Sequence, residues 1–119
     1  MSAATVLVVD DEKGMRDTVA EILEDAGYEV TTAATGDAAL VRLSRQDFDV
    51  VVMDVRMPGR DGISVLREMG GPPPPVLMMT AYAMEDEIKA ALDAKSFAVV
   101  HKPVPAAHLL DLVARAAAA

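Results

Sequence analysis

The chain predicts an α/β fold, a doubly wound parallel sheet of five strands with helices on both faces. Three observations predict it. Short apolar runs rich in β-branched residues recur along the sequence, each is followed by a stretch with helical spacing, and no gap interrupts the five strand–helix units. At 119 residues the chain suits a single domain, 1–119, with little room for a second.

The first run, "TVLVV" (5–9), is apolar on both faces, as a buried parallel strand requires. In "KGMRDTVAEILEDAG" the residues Met15, Val19, Ile22, Leu23 and Ala26 fall at helical spacing, and Gly27 stands where a helix would stop. "YEVTTA" (28–33) alternates and favours a strand. "TGDAALVRLSRQ" (35–46) follows as a helix, with Thr35 or Gly36 near its start. "FDVVVM" (48–53) is a second fully apolar strand. A loop of about eight residues leads to a short helix, "GISVLREM" (62–69), which "GGPPPP" breaks because neither Gly nor Pro continues a helix. "PVLMM" (75–79) is the fourth strand. "MEDEIKAALDA" (84–94) is a helix with acidic residues in its first turn, where the macrodipole favours them. "FAVV" (97–100) is the fifth strand. "PAAHLLDLVARAAAA" (105–119) closes the chain as a helix with proline in its first turn, and its alanines read as a fraying end.

Composition narrows the function. Apolar residues make up 52% of the chain but aromatic residues only 3%, so a real core forms and it is aliphatic. The net charge of -8 argues against direct contact with nucleic acid or anionic lipid. Without cysteine there are no disulfides and no thiolate metal sites. The apolar runs are far shorter than the roughly 18 residues of a membrane span, and no signal-peptide pattern opens the chain, so a cytoplasmic location is the expectation.

In open parallel sheets, ligands sit outside the carboxyl ends of the strands. Strand one ends in Asp10 and Asp11, strand three in Asp54, strand four in Thr80 and strand five in Lys102. Each has an ordinary reading. Asp is a common turn or cap residue, Thr after a strand is usually structural, and Lys before Pro is usually a solvated charge. Their convergence is what points to chemistry. Two unit charges about 4 Å apart repel by roughly 4 kcal/mol at an effective dielectric near 20, so crowded carboxylates need an offset. A hard divalent cation supplies it, Mg²⁺ first, with Mn²⁺ able to substitute. With Lys102 and a hydroxyl around one carboxylate, the set forms a cradle for a phosphoryl group, and Asp54 can be the nucleophile.

Together "VLVVDDE", "VVMDVRMPGRDG", "MMTAYA" and "HKPV" resemble the four signature segments of the receiver domain of bacterial response regulators, in that family's order, over essentially the whole chain. The resemblance implies the flavodoxin-like (βα)5 fold with strand order 2-1-3-4-5. It implies that Asp54 accepts a phosphoryl group from the phosphohistidine of a histidine kinase or phosphotransfer protein. Asp10, Asp11 and Asp54 would hold Mg²⁺ with the backbone carbonyl of Arg56, Asp11 as a direct ligand and Asp10 partly through water. Thr80 and Lys102 would contact the phosphoryl oxygens, and the Lys102–Pro103 bond would be cis. Phosphorylation would alter the face made by the fourth helix, fifth strand and closing helix, roughly 84–119, which would meet an effector domain, a target protein or a second copy.

The chain departs from the family pattern at Val99, where many receivers carry Tyr or Phe as a switch residue. Phe97, two residues earlier, reads as core filler. Tyr82 and Arg56 are the candidates for controlling water access and the lifetime of the aspartyl phosphate. His101 reads as a solvent-facing neighbour of Lys102, and "GGPPPP" as a stiff connection.

The expected function is a phosphoacceptor switch rather than a turnover enzyme, either stand-alone or part of a longer regulator. Two alternatives stand beside it. A pseudo-receiver interaction module is encouraged by Val99. A small Mg²⁺-dependent phosphohydrolase is discouraged by Arg56, because such enzymes usually carry a carboxylate two residues after the nucleophile.

Overall fold

The structure is a computed structural model that describes residues 3–81, 89 and 96–119. Five parallel strands run in the order β2-β1-β3-β4-β5: β1 Thr5–Val9, β2 Glu29–Ala33, β3 Val50–Asp54, β4 Val76–Thr80 and β5 Ala98–His101. Between them lie α1 Lys13–Asp25, α2 Gly36–Arg45 and α3 Gly62–Glu68, and the chain closes with a C-terminal helix, Ala106–Ala118. The helix expected at 84–94 lies outside the described residues, Lys89 apart. The expected α/β fold, flavodoxin-like with strand order 2-1-3-4-5, is the one observed.

Strand alternation explains how both sheet faces are covered. On one face, Leu7, Val9, Val51, Met53 and Met78 pack with Ala39 of α2 and Val65 and Leu66 of α3. On the other, Val6, Val8, Val50, Val52, Leu77 and Met79 pack with Val19 and Leu23 of α1 and with Leu109, Val113 and Ala116 of the C-terminal helix. Among the described residues, α2 and α3 cover one face and α1 and the C-terminal helix the other, over strands that are apolar at nearly every position, which is why β3 and β4 are buried throughout.

The starts of α1, α2 and α3 are set by side chains that accept from otherwise unpaired N–H groups. Glu12 accepts from the N–H groups of Gly14 and Met15 at the start of α1, Thr35 from Ala38 N–H at α2, and Asp61 from Ser64 N–H at α3. In α1 the expected face is shifted slightly. Ala20 is buried and Ala26 is exposed, because the helix ends at Asp25 and Ala26 is already its cap.

Phe97 corrects an expectation. It is 40% exposed rather than core filler. Its N–H donates to Val76 O at 2.8 Å, so it lies at the start of the edge strand β5, at the end of the sheet away from Asp54. Alternation does put it on the face of Val99, but Val99 is one step further into the sheet and packs against the core. Phe48 supplies buried aromatic volume instead. Among the described residues no helix is long and apolar enough to cross a membrane.

Candidate functional site

Strand register assembles the site. Val9 of β1 pairs with Met53 of β3, so Asp10 and Asp54 each lie one residue beyond a matched pair on neighbouring strands. By strand alternation both belong to the face packed by α1 and the C-terminal helix, as does Lys102 after β5. Asp54 is the last residue of β3 itself, one residue further than the sequence pattern carried that strand, and Thr80 likewise ends β4. Both strands run on because Val55 N–H donates to Met79 O at 2.8 Å and Lys102 N–H to Thr80 O at 2.7 Å.

Ligand oxygens of Asp10, Asp11 and Asp54 lie within 4.8 Å of one another. Asp10 is fully buried, Asp54 is 8% exposed, and Asp11 is exposed. Lys102 Nζ lies between the two buried carboxylates, donating to Asp10 Oδ2 at 2.9 Å and to Asp54 Oδ2 at 3.1 Å. The other oxygens serve local turns. Glu12 N–H donates to Asp10 Oδ1 at 3.0 Å, and Arg56 N–H donates to Asp54 Oδ1 at 3.3 Å. In Asp10 and Asp54 alike, one oxygen serves a local turn and the other accepts from Lys102.

Electrostatics follow from that burial. Burial pushes the Asp54 carboxyl above the usual carboxylate value; Lys102 pulls it back and the Asp10 charge adds to the rise. For Lys102, burial acts downward most strongly, but the hydrogen bonds to Asp10 and Asp54, with their charges, outweigh it and hold the ammonium above the ordinary lysine value.

An open cavity of 1020 Å³ lies over these groups, and Asp11, Asp54, Arg56, Met57, Ala81 and Lys102 are among its lining residues. A second cavity, of 880 Å³, lies elsewhere and is bordered by Leu43, Phe48, Met69 and the 72–74 prolines. The loop under the first cavity is shaped by two glycines. Gly59 takes a left-handed φ of 75°, which L side chains rarely adopt. At Gly62 a Cβ would meet Asp54 O at 2.4 Å, so the absence of a side chain lets α3 begin directly against the backbone of Asp54.

The donor set suits Mg²⁺: three close carboxylates, all hard oxygen donors, beside a cavity with room for waters. The structure brings together Asp10, Asp11, Asp54, Arg56 and Lys102 at one edge, with Thr80 fully buried at the end of β4. The Lys102–Pro103 bond is cis, and His101 is exposed. Tyr82 lies outside the described residues. Three contributors went unnoticed in the sequence. Glu12 caps α1. Arg16 donates from Nη1 to Asp10 O at 2.9 Å, pinning the loop that carries the acidic pair. Arg60 joins the loop after Asp54 to two helices. The Glu12 cap had a signal, an acidic residue ahead of a helical pattern; the two arginines had none, because their acceptors are set by tertiary packing.

Residues 6–114 match the response regulator receiver domain family. Response regulator protein FleR of Pseudomonas aeruginosa is 39% identical over 115 residues, covering 95% of this chain and 24% of that protein. The probable transcriptional regulatory protein TcrX of Mycobacterium tuberculosis is 43% identical over 102 residues, covering 83% of this chain and 43% of that protein. The chain thus spans less than half the length of either relative. Among solved structures, a CheY-like receiver domain protein of Methanospirillum hungatei superposes with a TM-score of 0.91 at 29% identity, covering 98% of this chain and 95% of that one.

Proposed function

The chain belongs to the response regulator receiver family, and on that premise we propose that it is a phosphoacceptor switch of a two-component system. The observation that carries the proposal is the placement of Asp10, Asp11 and Asp54 around one point, with Lys102 bridging the two buried carboxylates.

In the proposed reaction an Asp54 oxygen attacks the phosphorus of a phosphohistidine on a partner kinase or phosphotransfer protein. The P–N bond breaks, and the leaving imidazole takes up a proton. Asp10, Asp11, Asp54 and the Arg56 carbonyl would hold Mg²⁺, which when bound neutralises charge on the phosphoryl oxygens. Lys102 holds its ammonium within 3.1 Å of the acceptor oxygen and would follow the charge to the phosphoryl group. Thr80, at the end of the adjacent strand, would donate its hydroxyl there. Because Lys102 N–H donates to Thr80 O, a shift of either residue is passed between β4 and β5. That coupling offers a route to the 84–119 face without an aromatic switch. Val99 has no polar tip to exchange and packs partly buried against the core.

Receiver domains are typically signalling modules without turnover and work with histidine kinases. The finer assignments proposed here are a single domain over 1–119, the cytoplasm as its location, an effector or second copy as its output partner, and Arg56 and Tyr82 as modulators of phosphate lifetime. The test is incubation with acetyl phosphate and Mg²⁺, followed by intact mass. A one-phosphate gain that Asp54→Asn abolishes is the expected result. No gain under any condition would favour the pseudo-receiver alternative that Val99 invites.

A further inference from the structure

We propose that Arg60 is a positioning residue for the metal site, fastening the 55–61 loop so that its backbone keeps its place beside Asp54. The proposal rests on the phosphoacceptor role proposed above. Arg60 Nε donates to Asp37 Oδ1 at 2.6 Å in the first turn of α2, and its Nη1 donates to Ser64 Oγ at 3.2 Å and to Glu68, both on α3. One guanidinium thus holds three acceptors on two helices through its planar fork, a geometry that a lysine ammonium does not reproduce.

The backbone of Arg60 is held against the same turn of α2. A Cβ on Gly36 would meet Arg60 O at 2.4 Å, so the loop and the helix touch only because Gly36 has no side chain. Side chain and main chain of one residue therefore dock the loop on α2, next to Asp37. The loop they dock carries Arg56, which lines the site cavity and whose N–H donates to Asp54 Oδ1.

The ordinary reading is a surface ion pair. Asp37 is 77% exposed and Glu68 49% exposed, so solvent screens both pairs and they contribute little to folding. That weakness makes the two readings separable, since a positioning role appears in metal affinity while leaving the fold nearly unchanged. The sign separates them from bulk charge as well. The chain carries a net charge of -8, so removing a cation should draw Mg²⁺ slightly closer; a positioning residue predicts weaker binding instead.

The test is calorimetric titration with Mg²⁺ of the full chain, alongside Arg60→Met, Arg60→Lys, Asp37→Asn and the Arg60→Met/Asp37→Asn pair, with melting in EDTA. Arg60→Met is expected to weaken Mg²⁺ binding about tenfold, as loss of groups that orient metal ligands does. Its melting midpoint should stay within about 4 °C of wild type. Arg60→Lys should recover less than half of the lost affinity, and the double variant should bind no more weakly than Arg60→Met alone, since both remove one contact. Wild-type Mg²⁺ affinity in Arg60→Met would overturn the proposal, as would additive losses or a loss matched by a large drop in melting. Wild-type protein that neither binds Mg²⁺ nor gains phosphate would remove the phosphoacceptor role and this proposal together. Wild-type protein that does both, beside an unaffected Arg60→Met, would remove this proposal alone.

Discussion

Replacing Gly62 with alanine should damage both the fold and the site. A Cβ there would lie 2.4 Å from Asp54 O, 2.7 Å from Met78 Cε and 3.2 Å from Val55 Cα. Ordinary carbon–oxygen contact begins near 3.3 Å, so α3 and the end of β3 must part by about 0.9 Å. Met78 can swing its methyl aside, but the carbonyl belongs to a fully buried strand and has no such freedom. Overpacking of this kind costs about 1–3 kcal/mol, of which the better helix propensity of alanine offsets about 0.5–1. A net loss of about 1–2 kcal/mol, with an unfolding entropy of about 2.1 cal/mol/K per residue, lowers the midpoint by about 4–8 °C. The same displacement moves Asp54, and phosphoryl uptake from acetyl phosphate should fall about tenfold or more. Gly70→Ala is the control: its Cβ would meet nothing within 4 Å and its φ is not positive, so it should melt within about 2 °C of wild type. A Gly62→Ala protein that melts and phosphorylates like wild type would refute the reasoning.

Asp54→Asn should stabilise the metal-free protein at neutral pH. Because the folded carboxyl titrates above its ordinary value of 3.8, the unfolded chain releases that proton first as pH rises. Wild-type stability is therefore undiminished below 3.8 and declines up to the folded value, so the advantage of Asp54→Asn should open across that window. Urea melts in EDTA at successive pH values read it, and a variant no more stable than wild type at pH 7 contradicts it. Lys102→Met should destabilise by about 2 kcal/mol, since two buried carboxylates lose a charged donor. The stabilisation from Lys102 is complete below the ordinary lysine value of 10.5 and disappears as pH rises through its higher folded value, so alkaline melts should bring variant and wild type together. Finally, Mg²⁺ at one hundred times its dissociation constant should stabilise by about 2.7 kcal/mol, or about 10 °C, and Asp11→Asn should lose most of that gain. Melting that does not respond to Mg²⁺ would count against the site.

What the sequence made legible was whatever depends on local pattern. The runs at 5–9 and 48–53 are apolar on both faces, and that alone demanded a sheet covered twice; Val51 indeed packs with residues of α2 and α3, and Val52 with residues of α1 and the C-terminal helix. Asp10, Asp54 and Lys102 were legible because each stands at a strand end and strand ends converge. Phe97 was not, because alternation gives the face of a residue but not its distance from the sheet edge. The Arg60 contacts were not, because Asp37 lies 23 residues away and only packing brings it near. The offset for carboxylate crowding was only half legible. A cation was required on electrostatic grounds, but the sequence could not show that Lys102 lies within hydrogen-bonding distance of both buried acids, so that part of the offset is built into the protein.

That partial offset bears on how a site of this kind would respond to a ligand. A ligand shifts a conformational equilibrium only by as much as it prefers one state over another. Fully satisfied carboxylates would give Mg²⁺ or a phosphoryl group little to improve. Here burial costs the Asp54 carboxylate more than one lysine returns, so its carboxyl stays above the ordinary value and the charge is not fully compensated. The strand beneath it cannot relax the difference, because Val50–Asp54 is buried along its whole length and Gly62 lets α3 close on the Asp54 carbonyl. The uncompensated charge is therefore held at one fixed point. The groups positioned to respond are Lys102 and the loop carrying Arg56, each tied to another part of the fold, Lys102 through Thr80 to β4 and the loop through Arg60 to α2 and α3. Rigidity at Asp54 and linkage around it are thus two consequences of the same burial.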